Sequence, residues 1–211
     1  MENLVLVFIL SSIVSVSVYL VDVTRNNAEL SSLMKVVWGL TIVYSGVLGL
    51  AIYWYSGRKQ IRTDSIYRRG LRSTAHCYSG CGLGEVLGVT LATLYFGGTN
   101  LAIAVGSFGF AYVFGFGLTV GPLVQEGVSL KESLYDAVTS ETASITVMEM
   151  AAIGLDLYLI RGITDGLADP LFWVALFVSL SFGFIVAYPV NLLLLKNGVK
   201  EGMMNPQMLR D

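Results

Sequence analysis

Histidine occurs once in this chain and cysteine twice, proline four times, and charged residues make up only 13% of it. Each scarcity excludes something. A single histidine, with no partner at a recognisable spacing, leaves a serine or cysteine hydrolase without a triad. So few charges in a chain that is 55% hydrophobic, with a mean hydropathy of +0.70, exclude a soluble globular domain. The apolar runs do not alternate with polar residues in segments of about ten, which excludes a membrane β-barrel. No strand precedes Gly82-x-Gly84 and no Lys-Ser/Thr follows it, so that pair is not a phosphate loop. Nucleic-acid binding has no motif beyond one basic loop, and neither a lipidation signal nor a convincing internal repeat is found.

What remains is a series of long apolar runs. Runs of about 18 or more residues cross the hydrocarbon layer as helices, and six are found, at about 3–22, 34–55, 76–96, 99–120, 139–160 and 171–195. The expected fold is an all-α polytopic helical bundle of six transmembrane helices, a single domain over residues 1–211. The first run lacks a basic n-region (Met1-Glu2-Asn3) and is too long for a typical signal-peptide core, so it is taken as a true span. An even number of spans puts both termini on one side. Arg58, Lys59, Arg62, Arg68, Arg69, Arg72, Lys131, Lys196, Lys200 and Arg210 then face Arg25, Lys35 and Arg161 across the bilayer. That bias predicts a multi-pass cell-membrane protein with both termini cytoplasmic. Trp38, Tyr53, Trp54, Tyr55 and Trp173 fall near predicted span ends, as in an aromatic belt. The basic stretch Ser56–Thr74 reads either as a solvated loop or as a short helix on the membrane surface.

Polar chemistry is concentrated in three places. The first is the start of the third run, where His76, Cys77, Cys81 and Glu85 follow one another. Cys77, Cys81 and Glu85 share a helix face, because residues four apart are neighbours, and His76 stands off it. A disulfide is disfavoured, since Cβ atoms four apart on a helix are about 6 Å from each other. Two thiolates at that spacing can still point at one soft cation, Cu(I) or Zn(II), helped by the predicted helix N-terminus. Inert packing of two small buried residues is the alternative.

The second place is the middle of the spans. Glu85 lies about 13 Å into its predicted helix, and Glu149 is central in the fifth run, on a stripe with Thr142, Thr146 and Asp156. No Lys or Arg lies in the middle of any run, which favours a cation or proton path over an anion site. Carboxyls hydrogen-bonded across helices are the structural alternative. The third place is the tail, where Met203, Met204 and Met208 offer thioethers suited to Cu(I), or simply apolar filler. Gly80, Gly84 and Gly88, with Gly106, Gly109, Gly115 and Gly117, are small-residue stripes for close helix packing, within the bundle or in a homo-oligomer.

Several segments resemble the DUF4396 family of membrane proteins. They are Met34-Lys35-Val36-Val37-Trp38-Gly39-Leu40-Thr41 running to Tyr53-Trp54, His76-Cys77-x-x-Gly80-Cys81-Gly82-x-Gly84, and Thr142-Ala143-Ser144-Ile145-Thr146-Val147-Met148-Glu149-Met150. The ending Tyr188-Pro189-Val190-Asn191 with Gly198-Val199-Lys200-Glu201-Gly202-Met203 belongs to the same likeness, which covers roughly 20–204. The resemblance implies an identity without a mechanism. Some members look like fusions to copper-protein domains, an association with copper only.

The first functional expectation is binding or transport of a soft metal cation such as copper. Cys77, Cys81 and His76 would capture it, Glu85 and Glu149 line its path, and Met203, Met204 and Met208 deliver or sense it, with a metal chaperone as an expected partner. The others are a proton or monovalent-cation channel or transporter on Glu85, Glu149, Thr146 and Thr142, a thiol-redox or metal-dependent enzyme, and a structural subunit without a site.

Overall fold

The computed structural model describes residues 2–160, 167–202 and 206. Among them are seven helices and no strand: α1 (Glu2–Arg25), α2 (Ser32–Ser45), α3 (Val47–Ser56), α4 (Ile66–Phe96), α5 (Asn100–Gln125), α6 (Leu130–Ile160) and α7 (Pro170–Lys196). The class is all-α, as the apolar runs predict. α1 from Val5 onward, α4, α5 and α7 are each long and apolar enough to cross a membrane. α6 equals α4 in length, at 31 residues, and packs between α5 and α7. Side-chain caps set the starts: Ser31 accepts from the Met34 amide, Ser65 from Arg68, Thr99 from Ala102 and Asp169 from Leu171.

The second apolar run is not one span. It breaks at Gly46, whose φ of +55° and ψ of −126° suit glycine, and the chain turns back on itself. Trp38 meets Tyr53 with ring centroids 5.5 Å apart, and a Cβ at Gly49 would lie 2.7 Å from the Thr41 carbonyl oxygen. α2 and α3 therefore form an antiparallel hairpin that returns to the end from which it came. Asp22 holds its base, accepting from Arg58 Nη2 at 2.7 Å, Tyr53 Oη at 2.8 Å and Asn27 Nδ2 at 2.9 Å. The tip reaches the middle of α4, where Tyr44 packs on Tyr78 and fills the space above Gly82. Irregular backbone at this depth is tolerated because Gly46 is buried against Ser12 of α1.

The expectation of six spans is not confirmed among the described residues, where four helices are long and apolar enough to cross a membrane. With 14 and 10 residues, α2 and α3 rise only about 21 and 15 Å, too short for a layer of about 30 Å. Five helices traverse the bundle and the hairpin re-enters, so the Glu2 end of α1 and the Lys196 end of α7 lie at opposite ends. Hydropathy sums residues over a window and does not register a reversal at one glycine. Two smaller expectations change with it. Trp38 and Tyr53 are fully buried core residues rather than belt residues. The stretch Ser56–Thr74 divides in two: its first half is a loop with Gln60, Arg62 and Thr63 exposed, and its second half is the start of α4, where buried Arg72 pairs with Asp64 at 2.7 Å.

Helices α4 to α7 form a ring in which each is antiparallel to the next. α4 and α5 are the closest pair. Gly80, Gly84 and Gly88 lie on the backbone of Gly115, Ala111 and Ser107, where an added Cβ would stand 2.8, 2.2 and 2.4 Å from main-chain atoms. The glycine stripe of α4 is thus consumed within the bundle. α4 and α6 face each other across the ring and run in the same direction.

A candidate cation path through the bundle

Both α4 and α6 turn their polar residues inward. Among the described residues, His76, Cys77, Cys81 and Glu85 of α4 are at most 1% exposed, and Glu141, Glu149 and Asp156 of α6 are 2%, 0% and 4% exposed. The α6 acids follow at intervals of eight and seven residues, close to two helical turns each, so they share one face. From Glu141 to Asp156 that face rises about 22 Å, most of a hydrocarbon layer.

At the end that carries the loops after α1, α3, α5 and α7, Lys200 Nζ donates to Glu141 Oε2 at 2.7 Å and to Asn191 Oδ1 at 3.0 Å. Ser73 Oγ donates to the same Asn191 oxygen at 3.2 Å. His76 is fully buried beside the Leu118 backbone, within electrostatic reach of Glu141 and Lys200. Deeper in, the Cys77 and Cys81 sulfurs lie 3.9 Å apart and both thiols are free. Cys81 stands against the Glu149 carboxyl, and Glu85 lies within electrostatic reach of Glu149 and Asp156. Neither oxygen of Glu85 nor Oδ1 of Asp156 has a hydrogen-bond partner among the described residues, and the Glu149 carboxyl meets the Cys81 thiol. The hydroxyls of Ser107 and Ser179, on the other two helices of the ring, are buried and unpartnered as well. Leaving polar atoms buried and unpaired costs about 1–3 kcal/mol each. Their concentration in one bundle is therefore a strong departure from ordinary packing.

The sequence-predicted residues divide as follows. Cys77, Cys81, Glu85 and Glu149 come together. His76 belongs to the Glu141–Lys200 end and is separated from the thiols. Cys77 lies about three turns inside α4, not at its N-terminus, so the helix terminus gives the thiols no assistance. Thr142 and Thr146 face α5 instead: Tyr112 Oη lies 2.6 Å from Thr146 Oγ1 and donates to the Thr142 carbonyl at 3.3 Å. Met203, Met204 and Met208 lie outside the described residues. No group of three or more His, Cys, Asp or Glu among the described residues stands in metal-holding geometry. Reading the sequence missed Asn191 and Lys200. A lone amide in an otherwise apolar helix and a lysine set between Gly198 and Gly202 were the available signals.

Comparison with known proteins places these residues in a family. The family model described as Domain of unknown function (DUF4396) matches residues 66–200, from the first residue of α4 to Lys200. The resembling segments in α2 and α3 fall outside that match. Neither the curated proteins nor the solved structures contain a match. The match covers well over half of the 211 residues and takes in the whole four-helix ring with its buried acids, and on that basis the chain belongs to the DUF4396 family.

Proposed function

We propose that this protein moves protons or monovalent cations across a membrane along the α4–α6 face, with Glu149, Glu85 and Asp156 as the intramembrane relay. One observation carries the reading: three buried carboxyls share a bundle interior, those of Glu85 and Asp156 with unpartnered oxygens, and among the described residues no Lys or Arg lies beside them in the middle of the helices. Carboxyls at that depth are costly and mark ion or proton pathways when no fixed cation neutralises them. A positively charged species is the partner their chemistry asks for. Ile145, Met148 and Leu180 fill the core around the cysteines, so passage is stepwise between carboxyls, or by a carrier-type rearrangement, rather than through an open pore. All eleven described basic residues gather at the Lys200 end, which supports a cytoplasmic C-terminal end and an outside N-terminal end for α1.

The test is flux in proteoliposomes. Glu149→Gln keeps the volume and the neutral form but removes the ionisable oxygen, and is expected to abolish proton and Rb+ flux in folded protein. Undiminished flux in Glu149→Gln overturns the reading.

A second reading rests on the sulfurs. With metal–sulfur bonds of about 2.3 Å, a tetrahedral pair of thiolates spans about 3.8 Å, close to the 3.9 Å between Cys77 and Cys81. Soft-metal binding, with Glu149 as the nearby oxygen ligand, is supported to that extent. Loss of Cu(I) binding in Cys77→Ser/Cys81→Ser would establish it, and undiminished binding in that variant would dismiss it.

A further inference from the structure

At the basic end, the relay lies beneath a cavity of about 940 Å³. It is bounded by the last turns of α5, the first turns of α6, the start of α2 and the strap 198–202. Its charged lining is lopsided, with Glu126, Asp136, Glu141 and Glu201 against Lys200 alone. Such a vestibule concentrates cations at its floor. The floor is the Lys200–Glu141 pair.

Lys200 does not point into this vestibule as a surface lysine would. It is 7% exposed, and its ammonium sits on the Glu141 carboxylate and the Asn191 amide oxygen, with Ser73 bonded to that same amide. Glu141, Asn191 and Ser73 are all at most 2% exposed. Behind them His76 is fully buried, within electrostatic reach of the pair. Carboxylate, amide and hydroxyl oxygens are the donor set of a hard cation, and the same set accepts hydrogen bonds from an ammonium. The lysine arrives on a short irregular strap. Gly198 and Gly202 flank it with φ of +68° and +87°, and Arg69 donates to the Glu201 carbonyl. The Val199 and Lys200 amides tie the strap to the Leu194 carbonyl, so departure of Lys200 from its seat is a change of its side-chain torsions while α7 stays folded.

We propose that Glu141, Asn191 and Ser73 form a monovalent-cation site at the mouth of the path, and that Lys200 is a tethered cation that occupies this site until an alkali or ammonium ion from the acidic vestibule displaces it. The fate of the ion beyond this point rests on the cation-path reading; occupancy of the site does not. A tether filling its seat for about 90% of the time weakens an external ion at least about tenfold, because only the open fraction is competent to bind.

The test is equilibrium Rb+ binding to purified full-length protein, with methylammonium as the second probe. Lys200→Met is expected to bind about one Rb+ at least about tenfold more tightly than the wild type, and Lys200→Met/Glu141→Gln to lose that gain. If methylammonium competes with Rb+, the site takes the ammonium class too; if not, it is an alkali-ion site, and either result requires the site to exist. Lys200→Met leaves an unpaired buried carboxylate and can fail to fold. Lys200→Gln keeps a hydrogen-bond donor without the charge and is expected to show the same gain, while Lys200→Arg keeps the charge and is expected to show none. Equal Rb+ affinity in the wild type and Lys200→Gln overturns the proposal, as does a gain that survives Glu141→Gln. Glu149→Gln separates the two readings. Undiminished flux in that variant sinks the relay, whereas an absent gain in the Lys200 variants sinks the tethered site alone.

Discussion

The sulfur atoms of Cys77 and Cys81 lie 3.9 Å apart, one turn from each other in the interior of α4. Covalent closure brings sulfurs to about 2.05 Å with Cβ atoms about 3.8 Å apart, which an unbroken helix does not permit. Both thiols are therefore expected to titrate after the membrane protein is exposed to a mild oxidant and then denatured. Disappearance of both, without cross-linked dimers, would mean that this turn of α4 unwinds, and it would restore the thiol-redox reading.

Opposite placement of the Glu2 end of α1 and the Lys196 end of α7 follows from the re-entrant hairpin. In a Cys77→Ser/Cys81→Ser background, Asn3→Cys and Lys131→Cys, both at exposed positions, are expected to react with a membrane-impermeant maleimide from opposite faces. Lys131→Cys is expected to label from the cytoplasmic face. Labelling of both from one face returns the topology to six spans.

Packing of α4 on α5 leaves no room for a side chain at Gly84, where an added Cβ would sit 2.2 Å from the Ala111 nitrogen. Gly84→Ala is expected to destabilise the bundle by about 1–3 kcal/mol, the range for overpacking against rigid neighbours. Gly109→Ala, at a position with open space, serves as the control and is expected to be close to neutral. Thermal unfolding in detergent measures both, and equal melting temperatures would show that the two helices can separate without cost.

Asp22 ties α1 to the second arm of the hairpin and to the loop that leads into the first. Asp22→Asn removes the charge that Arg58 and the Tyr53 hydroxyl meet. Its cost is expected at about 2–3 kcal/mol, below that of a fully buried pair because Arg58 keeps some contact with water. Arg58→Met should cost a similar amount, and the double variant less than the sum of the two. Additive effects would show that the two side chains act independently.

Much of the candidate site was legible because helix periodicity is rigid. Residues four apart on α4 had to share a face, so Cys77, Cys81 and Glu85 stand together as their spacing demands. Glu149 was legible as a carboxyl in an apolar run. Thr142 and Thr146 were misplaced onto the path because a stripe read from one helix does not say which neighbour it meets. Tyr112 of α5 takes them instead. The Glu141–Lys200–Asn191–Ser73 cluster joins the start of α4, the start of α6 and the end of α7 with the strap beyond it. No local pattern connects residues so far apart in the chain.

Composition and apolar run length alone determined that this chain is a helical membrane protein with costly acids and two cysteines in its interior, because transfer free energy adds residue by residue along a helix. Only the tertiary structure decided where those helices turn and what the acids face. Gly46 reverses the second run because two short arms can bury each other against α1 and α4, and that reversal puts the Glu2 end of α1 and the Lys196 end of α7 apart. The ring of α4 to α7 then aligns Glu141, Glu149, Glu85 and Asp156 across a shared interior. Such alignment depends on how closely glycine lets α4 approach α5, a packing property that no single segment contains.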